Sequence, residues 1–391
     1  MLHKLEPQSP DALLALIKLF AEDERADKID LGVGVYRTDD GATPVFRAIK
    51  QAEAKLLEEQ DSKSYLGPEG DTDFVDALVP YIFGADLAAD RIAGMQTPGG
   101  TGAVRLAVAL AQKAGVTRVH LGVPSWPNHK QILDDVGLET VTFPHATPDG
   151  DADLEAVLTA IRNGGEGDAV LLHACCHNPT GVEYTQDQWD RIAAALADSP
   201  VLPIIDSAYQ GLGQGLEEDA AGLRTVLARV PEALVAYSCD KNFGLYRDRV
   251  GAFFVQAADG SDLPAIMSNA NALARANWSM PPDHGGAAVR VVLRDEGMTR
   301  EWHDELDSMR TRLRSVRDRL AAADNEVPGL DLQQLGRQNG LFGMLALTPD
   351  QIAAMRKDHA VYMAGSGRIN IAGLTRGNVE KFIAALADVT A

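Results

Sequence analysis

The chain has 391 residues, with 36 Lys and Arg against 56 Asp and Glu for a formal net charge of −20, and is 46% hydrophobic and 24% charged. That length points to two domains and that composition to an ordinary globular enzyme. The acidic balance argues against nucleic acid and anionic lipid as partners, and no stretch approaches the roughly 20 apolar residues of a membrane span.

The N-terminal MLHKLEPQSPDALLALIKLF has a short apolar run carrying Lys18 and no small-residue cleavage site, so no signal or transit peptide is expected. Ser9-Pro10-Asp11 reads as a capped helix start. Gly-rich turns follow in LGVGVY, residues 31–36, then a helix over about 45–59 and another from Ala103 to about Lys113. From there short apolar runs alternate with amphipathic helices. TRVHLGV, LETVTF, AVLLHACC and VLPIID read as strands; NHKQILDDVG, DLEAVLTAIRNG and QDQWDRIAAALAD read as helices. Such alternation means βαβ units and a mostly parallel sheet flanked by helices, an α/β fold. A long charged helix is predicted over about 296–324, followed by a few short strands and two helices. The domain reading is 1–44 for an N-terminal arm and part of a small domain, 45–300 for a large domain, and 301–391 for the rest of the small domain.

The stretch HACCHNPTG, residues 173–181, first suggests a metal site. In an extended strand His173 and His177 would lie about 13 Å apart, too far for one ion. Asn178-Pro179 disfavours a helix that would bring them together. No metal is therefore expected, and Cys175 and Cys176 read as small buried residues. With Cys239 they make an odd, partly adjacent set of three that fits a reducing cytoplasm. The NPTG turn is the more useful part. It sits where a parallel strand ends, which is where open α/β sheets bind ligands.

Other strand ends carry chemistry too. TPGGTGA, residues 97–103, opens a helix with bare backbone N–H groups that could cradle a phosphate. It is neither a P-loop nor a dinucleotide fingerprint. In PSWPNH, residues 124–129, Trp126 is held stiffly enough to stack on a planar ring. Asp206 ends an apolar strand and needs a cationic partner, with Tyr209 three residues on. Lys241 follows a strand in AYSCDKNFGLYRDRVG, where burial can lower its pKa and make it a nucleophile. Ser238 and Arg249 flank it as phosphate donors. Arg275 and Arg368 can grip carboxylates. A lysine, an acid for a ring nitrogen, a phosphate cup, a stacking aromatic and phenolate donors together match an aldehyde-bearing pyridinium phosphate.

At this point the sequence resembles the aspartate/aromatic aminotransferase group of fold-type I pyridoxal phosphate enzymes. The likeness runs from LGVGVY through SYLGPEG, TPGGTGA, PSWPNH, HACCHNPTG, DSAYQG, DKNFGLYRDRVG and RANWSMPPDHG to SGRINIAG. It implies a seven-stranded, mostly parallel sheet in the large domain and a smaller α+β domain. It also implies pyridoxal 5′-phosphate as cofactor, and a homodimer with shared active sites whose small-molecule substrates are amino acids and 2-oxo acids. Lys241 would form the Schiff base and move the proton in a ping-pong transamination. Asp206 would pair with the pyridinium nitrogen, with His173 behind it. Asn178 and Tyr209 would hold the 3′ oxygen and Trp126 would stack on the ring. Gly100, Thr101, Ser238 and Arg249 would bind the phosphate, joined by Tyr65 from the partner subunit. Arg368 would bind the α-carboxylate, Arg275 from the partner subunit the distal one, and Gly34 lies in the strip that closes over substrate.

Departures from aspartate-specific members bear on the substrate. Cys239-Asp240 stands where they tend to have Tyr-Ser, Met280 where they carry Asn, and Ser64 replaces an Asn before Tyr65. Met280 makes the pocket wall friendlier to rings, and Arg275 keeps the dicarboxylate option. The resulting expectation is transamination of aromatic amino acids and aspartate with 2-oxoglutarate. The alternative is a strict aspartate aminotransferase. Asp240 adds a negative charge beside the lysine if it faces inward. Decarboxylation or β-elimination on the same cofactor, a cofactor-sensing DNA-binding regulator and a zinc protein are the rival readings.

Overall fold

The computed structural model describes residues 1–6, 12–84 and 89–391, so the helix start expected at Ser9–Asp11 lies outside the described residues. They form two compact units: Met1–Thr43 with Leu313–Arg337 and Leu341–Ala391, and Pro44–Arg312 with Gln338–Gly340.

Strands in chain order are β1 Ile29–Asp30, β2 Ile92–Pro98, β3 Arg118–Val123, β4 Glu139–Pro144, β5 Asp168–His173, β6 Leu202–Ser207, β7 Ala233–Ser238, β8 Val250–Gln256, β9 Phe342–Met344, β10 Val361–Tyr362 and β11 Arg368–Asn370. The longer helices of the larger unit are α1 Arg47–Glu59, α2 Thr72–Phe83, α3 Gly99–Lys113, α4 Pro127–Val136, α5 Leu154–Asn163, α6 Gln186–Ala197, α7 Leu216–Leu227, α8 Leu263–Asn277 and α9 His284–Arg294. The long helix α10, Glu296–Ala322, has its first part in the larger unit and its end in the smaller.

Seven strands form one sheet in the order β2-β8-β7-β6-β5-β3-β4. All pairings are parallel except those of β8, which runs against both of its neighbours. Both β7 (ALVAYS) and β8 (VGAFFVQ) are buried along their whole length. Continuous apolar runs of this kind suit strands covered on both faces. One face is covered by α3, whose Val104, Leu106, Ala107 and Leu110 pack with Leu121, Leu171, Ile204 and Phe253.

The register decides what meets at one edge of the sheet. Pro98 pairs with Val250, Gly251 with Ser238, Tyr237 with Ser207, and Asp206 with His173. Because β8 is antiparallel, its beginning lies beside the C-terminal ends of β2, β7, β6 and β5. Arg249 therefore arrives at the same edge as Asp206 and Ser238.

Two expectations are corrected. The helix expected from Ala103 begins at Gly99. The Gly-Gly-Thr-Gly opening has poor helix propensity, but packing requires it. Gly99 has φ +71, and a Cβ on Gly251 would lie 2.5 Å from the Gly99 carbonyl carbon. The strand read as AVLLHACC stops at His173. Cys176 takes a left-handed φ of 48 and the chain turns back on itself. The rings of His173 and His177 are consequently 4.2 Å apart instead of far apart as an extended strand would place them.

In the smaller unit, β1 pairs parallel with β10 and β9 antiparallel with β11. Helices α11 Gln333–Arg337, α12 Pro349–His359 and α13 Val379–Thr390 complete its C-terminal part, one short helix more than expected.

Trp302, on α10, ties packing to the lysine loop. It is 1% exposed, stacks on Phe243 at 4.4 Å, and donates from Nε1 to the Asn242 carbonyl at 2.7 Å. Truncating it leaves a large cavity and an unpaired carbonyl next to Lys241. Trp302→Ala is expected to lose about 3–5 kcal/mol in urea denaturation, with Trp302→Phe losing less because the stacking ring remains.

Candidate active site

Asp206 ends β6 and is buried. His129, on the first turn of α4 and fully buried, places Nε2 3.0 Å from Asp206 Oδ2 and Nδ1 2.9 Å from Ser125 Oγ. A carboxylate only accepts, so Nε2 carries the hydrogen and the serine hydroxyl serves Nδ1. His129, not His173, is thus the direct hydrogen-bond partner of Asp206. His129 was the last residue of the PSWPNH motif; a histidine on the first turn of a helix that follows a strand end was the available signal. The His173 ring lies 5.0 Å from that of His129, and its Nε2 is buried without a partner among the described residues.

The imidazoles continue as a row. His177 lies against His173, and His145 stacks on His177 at 3.5 Å with the planes 6° apart. Thr180 Oγ1 lies 2.8 Å from His177 Nδ1, and His145 Nε2 donates to the Val182 carbonyl at 3.0 Å. Burial holds all three of these histidines below their ordinary range, His145 down to about 4, so they are neutral at pH 7. Nearby, Cys175, Cys176 and Asp219 bring potential ligand atoms within 4.8 Å of one another, as do His129, His173 and Asp206. The Asp219 carboxylate already accepts backbone N–H groups of Gly211, Gly213 and Gln214, and burial raises it to about 6.

Lys241 follows β7, half-buried, with its Nζ 5.3 Å from the Tyr209 ring centroid. Burial lowers its amine below the ordinary lysine range, and the charge of Arg249 adds to this. Asp240 and Asp206 pull the other way. Tyr209 is buried, and Asn178 donates from Nδ2 to its hydroxyl at 3.5 Å. The Asn178 amide oxygen is buried with no partner among the described residues. Trp126 caps the start of α4, half-buried, with its ring edge-on to His129 at 5.1 Å.

The phosphate-cup candidates converge on the N-terminus of α3. A Cβ on Gly99 would lie 2.5 Å from Arg249 Nη2, and one on Gly100 2.8 Å from the Ser238 Cβ. Thr101 is half-buried on the same turn. Asp240 faces inward: its Oδ2 accepts from Arg249 Nη1 at 2.5 Å.

Tyr65, Met280, Ser279 and Arg275 form a second group. Tyr65 is 95% exposed and Arg275 is exposed. The Leu66 N–H points at the Met280 sulfur at 3.1 Å, and Arg275 donates to Ser279 Oγ. Met280, one of the departures, therefore sits against the segment that carries Ser64 and Tyr65. In the smaller unit Arg368 lies 4.7 Å over the Phe342 ring and donates to the Gly32 carbonyl at 2.8 Å. A Cβ on Gly34 would meet the same ring at 2.7 Å.

A lysine, a buried acid and a glycine-lined cup at one edge of such a sheet define a transferase built to work through a bound organic cofactor. Residues 26–386 match the aminotransferase class I and II family, and the chain belongs to it. The chain is 48% identical over 375 residues to a tyrosine aminotransferase of Rhizobium meliloti (strain 1021), covering 96% of each chain. It is 39% identical to an aspartate aminotransferase of Escherichia coli (strain K12), covering 100% of each. An aromatic-amino-acid aminotransferase from Burkholderia pseudomallei, solved covalently bound to pyridoxal phosphate, superimposes with a TM-score of 0.95 at 32% identity, again over 100% of each chain. The protein is an enzyme of the transaminase type, and its family implies pyridoxal phosphate. The residues present fit that group: a buried tyrosine hydroxyl held by an amide N–H, a cup with no room for a Cβ, and a lysine of lowered basicity near a buried acid. Among the described residues no helix is long and apolar enough to cross a membrane.

The histidine row makes stability depend on pH. Each ring has a folded pKa below its unfolded value of about 6.5, so its stabilising contribution is complete above that pH and is lost as pH falls toward the folded value. Asp219, raised, works in the opposite sense. Each depressed histidine contributes a slope of up to ~1.4 kcal/mol per pH unit. Replacing His145 by Phe should reduce the fall in unfolding free energy between about pH 6.5 and 4.5 by up to ~2 kcal/mol, that slope acting over most of two pH units. Urea denaturation across this range measures it; an unchanged slope contradicts the neutral assignment.

Proposed function

We propose that this enzyme transaminates both aromatic amino acids and aspartate, with 2-oxoglutarate as the shared acceptor, working as a ping-pong catalyst through Lys241. The observation that carries the reading is a lysine of lowered basicity beside the Tyr209 ring and within the field of Asp206, which His129 holds. When bound, pyridoxal phosphate supplies an electron sink for the substrate's α-carbon.

The rest of the chemistry belongs to the chain. The Lys241 amine is the covalent anchor, and, once freed by incoming substrate, the base that carries the proton from Cα. Burial lowers its basicity, which favours the free amine that both roles need. Asp206, held by His129, is the negative partner for a protonated ring nitrogen. Tyr209, which accepts from the Asn178 amide N–H, would turn its hydroxyl hydrogen to a phenolic oxygen with Asn178 alongside, and Trp126 supplies a flat apolar face. The α3 N-terminus, Gly100, Thr101, Ser238 and Arg249 take the phosphate. Arg368 takes the α-carboxylate, and Gly34 belongs to the strip that closes over substrate. Tyr65 and Arg275 serve the site of a partner subunit, which their exposure permits and which makes the working enzyme a two-fold dimer.

Dual substrate use is supported by Met280 and Ser64, which replace two amide side chains of the aspartate-specific pattern around Tyr65 by a flexible thioether and a small hydroxyl. Arg275 remains for the distal carboxylate.

Lys241→Ala is expected to lose measurable turnover while still binding the cofactor non-covalently; appreciable activity in that variant refutes the role of the lysine. For substrate, kcat/KM for phenylalanine and aspartate should agree within ~10³-fold, about 4 kcal/mol of transition-state discrimination. A larger gap in favour of aspartate means a strict aspartate aminotransferase.

A further inference from the structure

Asp240 immediately precedes Lys241, yet it is 2% exposed. Its two oxygens are used differently. Oδ2 accepts from Arg249 Nη1 at 2.5 Å, and Oδ1 accepts from the Val250 N–H at 3.1 Å. Its own N–H donates to Ser238 Oγ at 3.2 Å. A Cβ built on Gly99 would lie 3.1 Å from Asp240 Oδ2. The carboxylate thus stands at the mouth of the α3 N-terminus, on the guanidinium and beside the hydroxyl assigned above to a phosphate.

The groups around it are few. Lys241 on its own loop and Arg249 before β8 act on it as cations, and the neighbouring Cys239 is a buried thiol. Asp206 at the end of β6 acts on the same lysine. The first turn of α3 adjoins it with backbone N–H groups and no titratable side chain.

A phosphate ester carries about two negative charges above its second pKa of about 6. Two anions sharing one guanidinium cannot both stay ionised without cost. We propose that Asp240 makes phosphate capture in this cup proton-linked: as the ester dianion takes Arg249, Asp240 takes up one proton from solvent and turns from competitor into hydrogen-bond donor. This rests on the cofactor reading above. Burial already raises Asp240 above the ordinary carboxylate range, against the pull of Lys241 and Arg249. The bound ester raises it further. In the window between the free and bound values, affinity for the dianion falls as pH rises, by up to tenfold per pH unit for one linked proton.

The test uses the full-length enzyme stripped of cofactor. It is titrated calorimetrically with pyridoxine 5′-phosphate, which lacks the aldehyde and so does not react with Lys241. Wild type, Asp240→Asn and Asp240→Ser are compared between about pH 7 and 9, in buffers of different ionisation enthalpy. Any proton taken by the ring nitrogen opposite Asp206 is common to all three proteins and cancels in the difference. The expected result is extra proton uptake of up to one per ligand by wild type, and a Kd that rises more steeply with pH than in either variant. Asn and Ser at 240 should bind about tenfold or more tightly than wild type at the alkaline end. Equal proton uptake and parallel pH profiles in all three proteins overturn the proposal while leaving the cofactor reading intact. Absence of binding by all three overturns the cofactor reading, and this one with it.

Discussion

A carboxylate at the end of a strand buried on both faces is costly unless something answers its charge, and Asp206 is such a carboxylate. Its answer comes from two sides: the His129 N–H on one, and the field of Lys241 on the other. Both supports depend on secondary structure. His129 is on the first turn of α4, and Lys241 leaves β7 next to β6. Once Asp206 is fixed, the adjoining His173 has little polar company, and it meets His177 and His129 as a neutral ring. The histidine row is therefore an uncharged backing to the Asp206–His129 hydrogen bond, its rings kept neutral by burial.

The sheet supplies the rest by register. Reversing one strand, β8, brings Arg249 to the edge where the neighbouring parallel strands end. A wholly parallel sheet would put the start of that strand at the opposite edge. Arginine and lysine can then come from one short segment, residues 241–249, although in the roles proposed for them they would serve opposite ends of the cofactor. The same economy leaves no room in the cup, where a Cβ on Gly251 would meet the Gly99 backbone, one on Gly99 the Arg249 guanidinium and one on Gly100 the Ser238 side chain. Shape selects glycine there as firmly as chemistry selects arginine.

Much of this was legible in the sequence. Alternating apolar runs and amphipathic helices gave the layered sheet, and TPGGTGA, HNPTG, DSAYQG and DKNFGLY marked the strand ends that meet. What was not legible depended on the path of the chain between marked points. HACC read as strand because it is apolar and β-compatible, but the strand stops at His173 and Cys176 adopts a left-handed turn that no local residue type announces. The 13 Å separation inferred for an extended segment failed for that reason. His129 was overlooked because the neighbouring Trp126 carried the more obvious signal, and only the fold aims its ring at a residue 77 positions away. The direction of Asp240 could not be read from its type, since a loop aspartate beside a lysine faces solvent as readily as a guanidinium.

The net charge of −20 then acquires a specific meaning. Zwitterionic aromatic amino acids approach such a surface without net repulsion, aspartate approaches as a monoanion, and 2-oxoglutarate as a dianion. The field falls off within a Debye length of about 8 Å at physiological salt, so discrimination against anions is strongest at the rim and, in the roles proposed for them, Arg275 and Arg368 would reverse it at short range. Arginine suits that task better than lysine, because a planar guanidinium binds a carboxylate through two parallel hydrogen bonds. On the proposed substrate reading, the acidic exterior thus slows the dicarboxylates more than the aromatic donors. The arginines must supply the affinity at short range, where geometry as well as charge decides what is held.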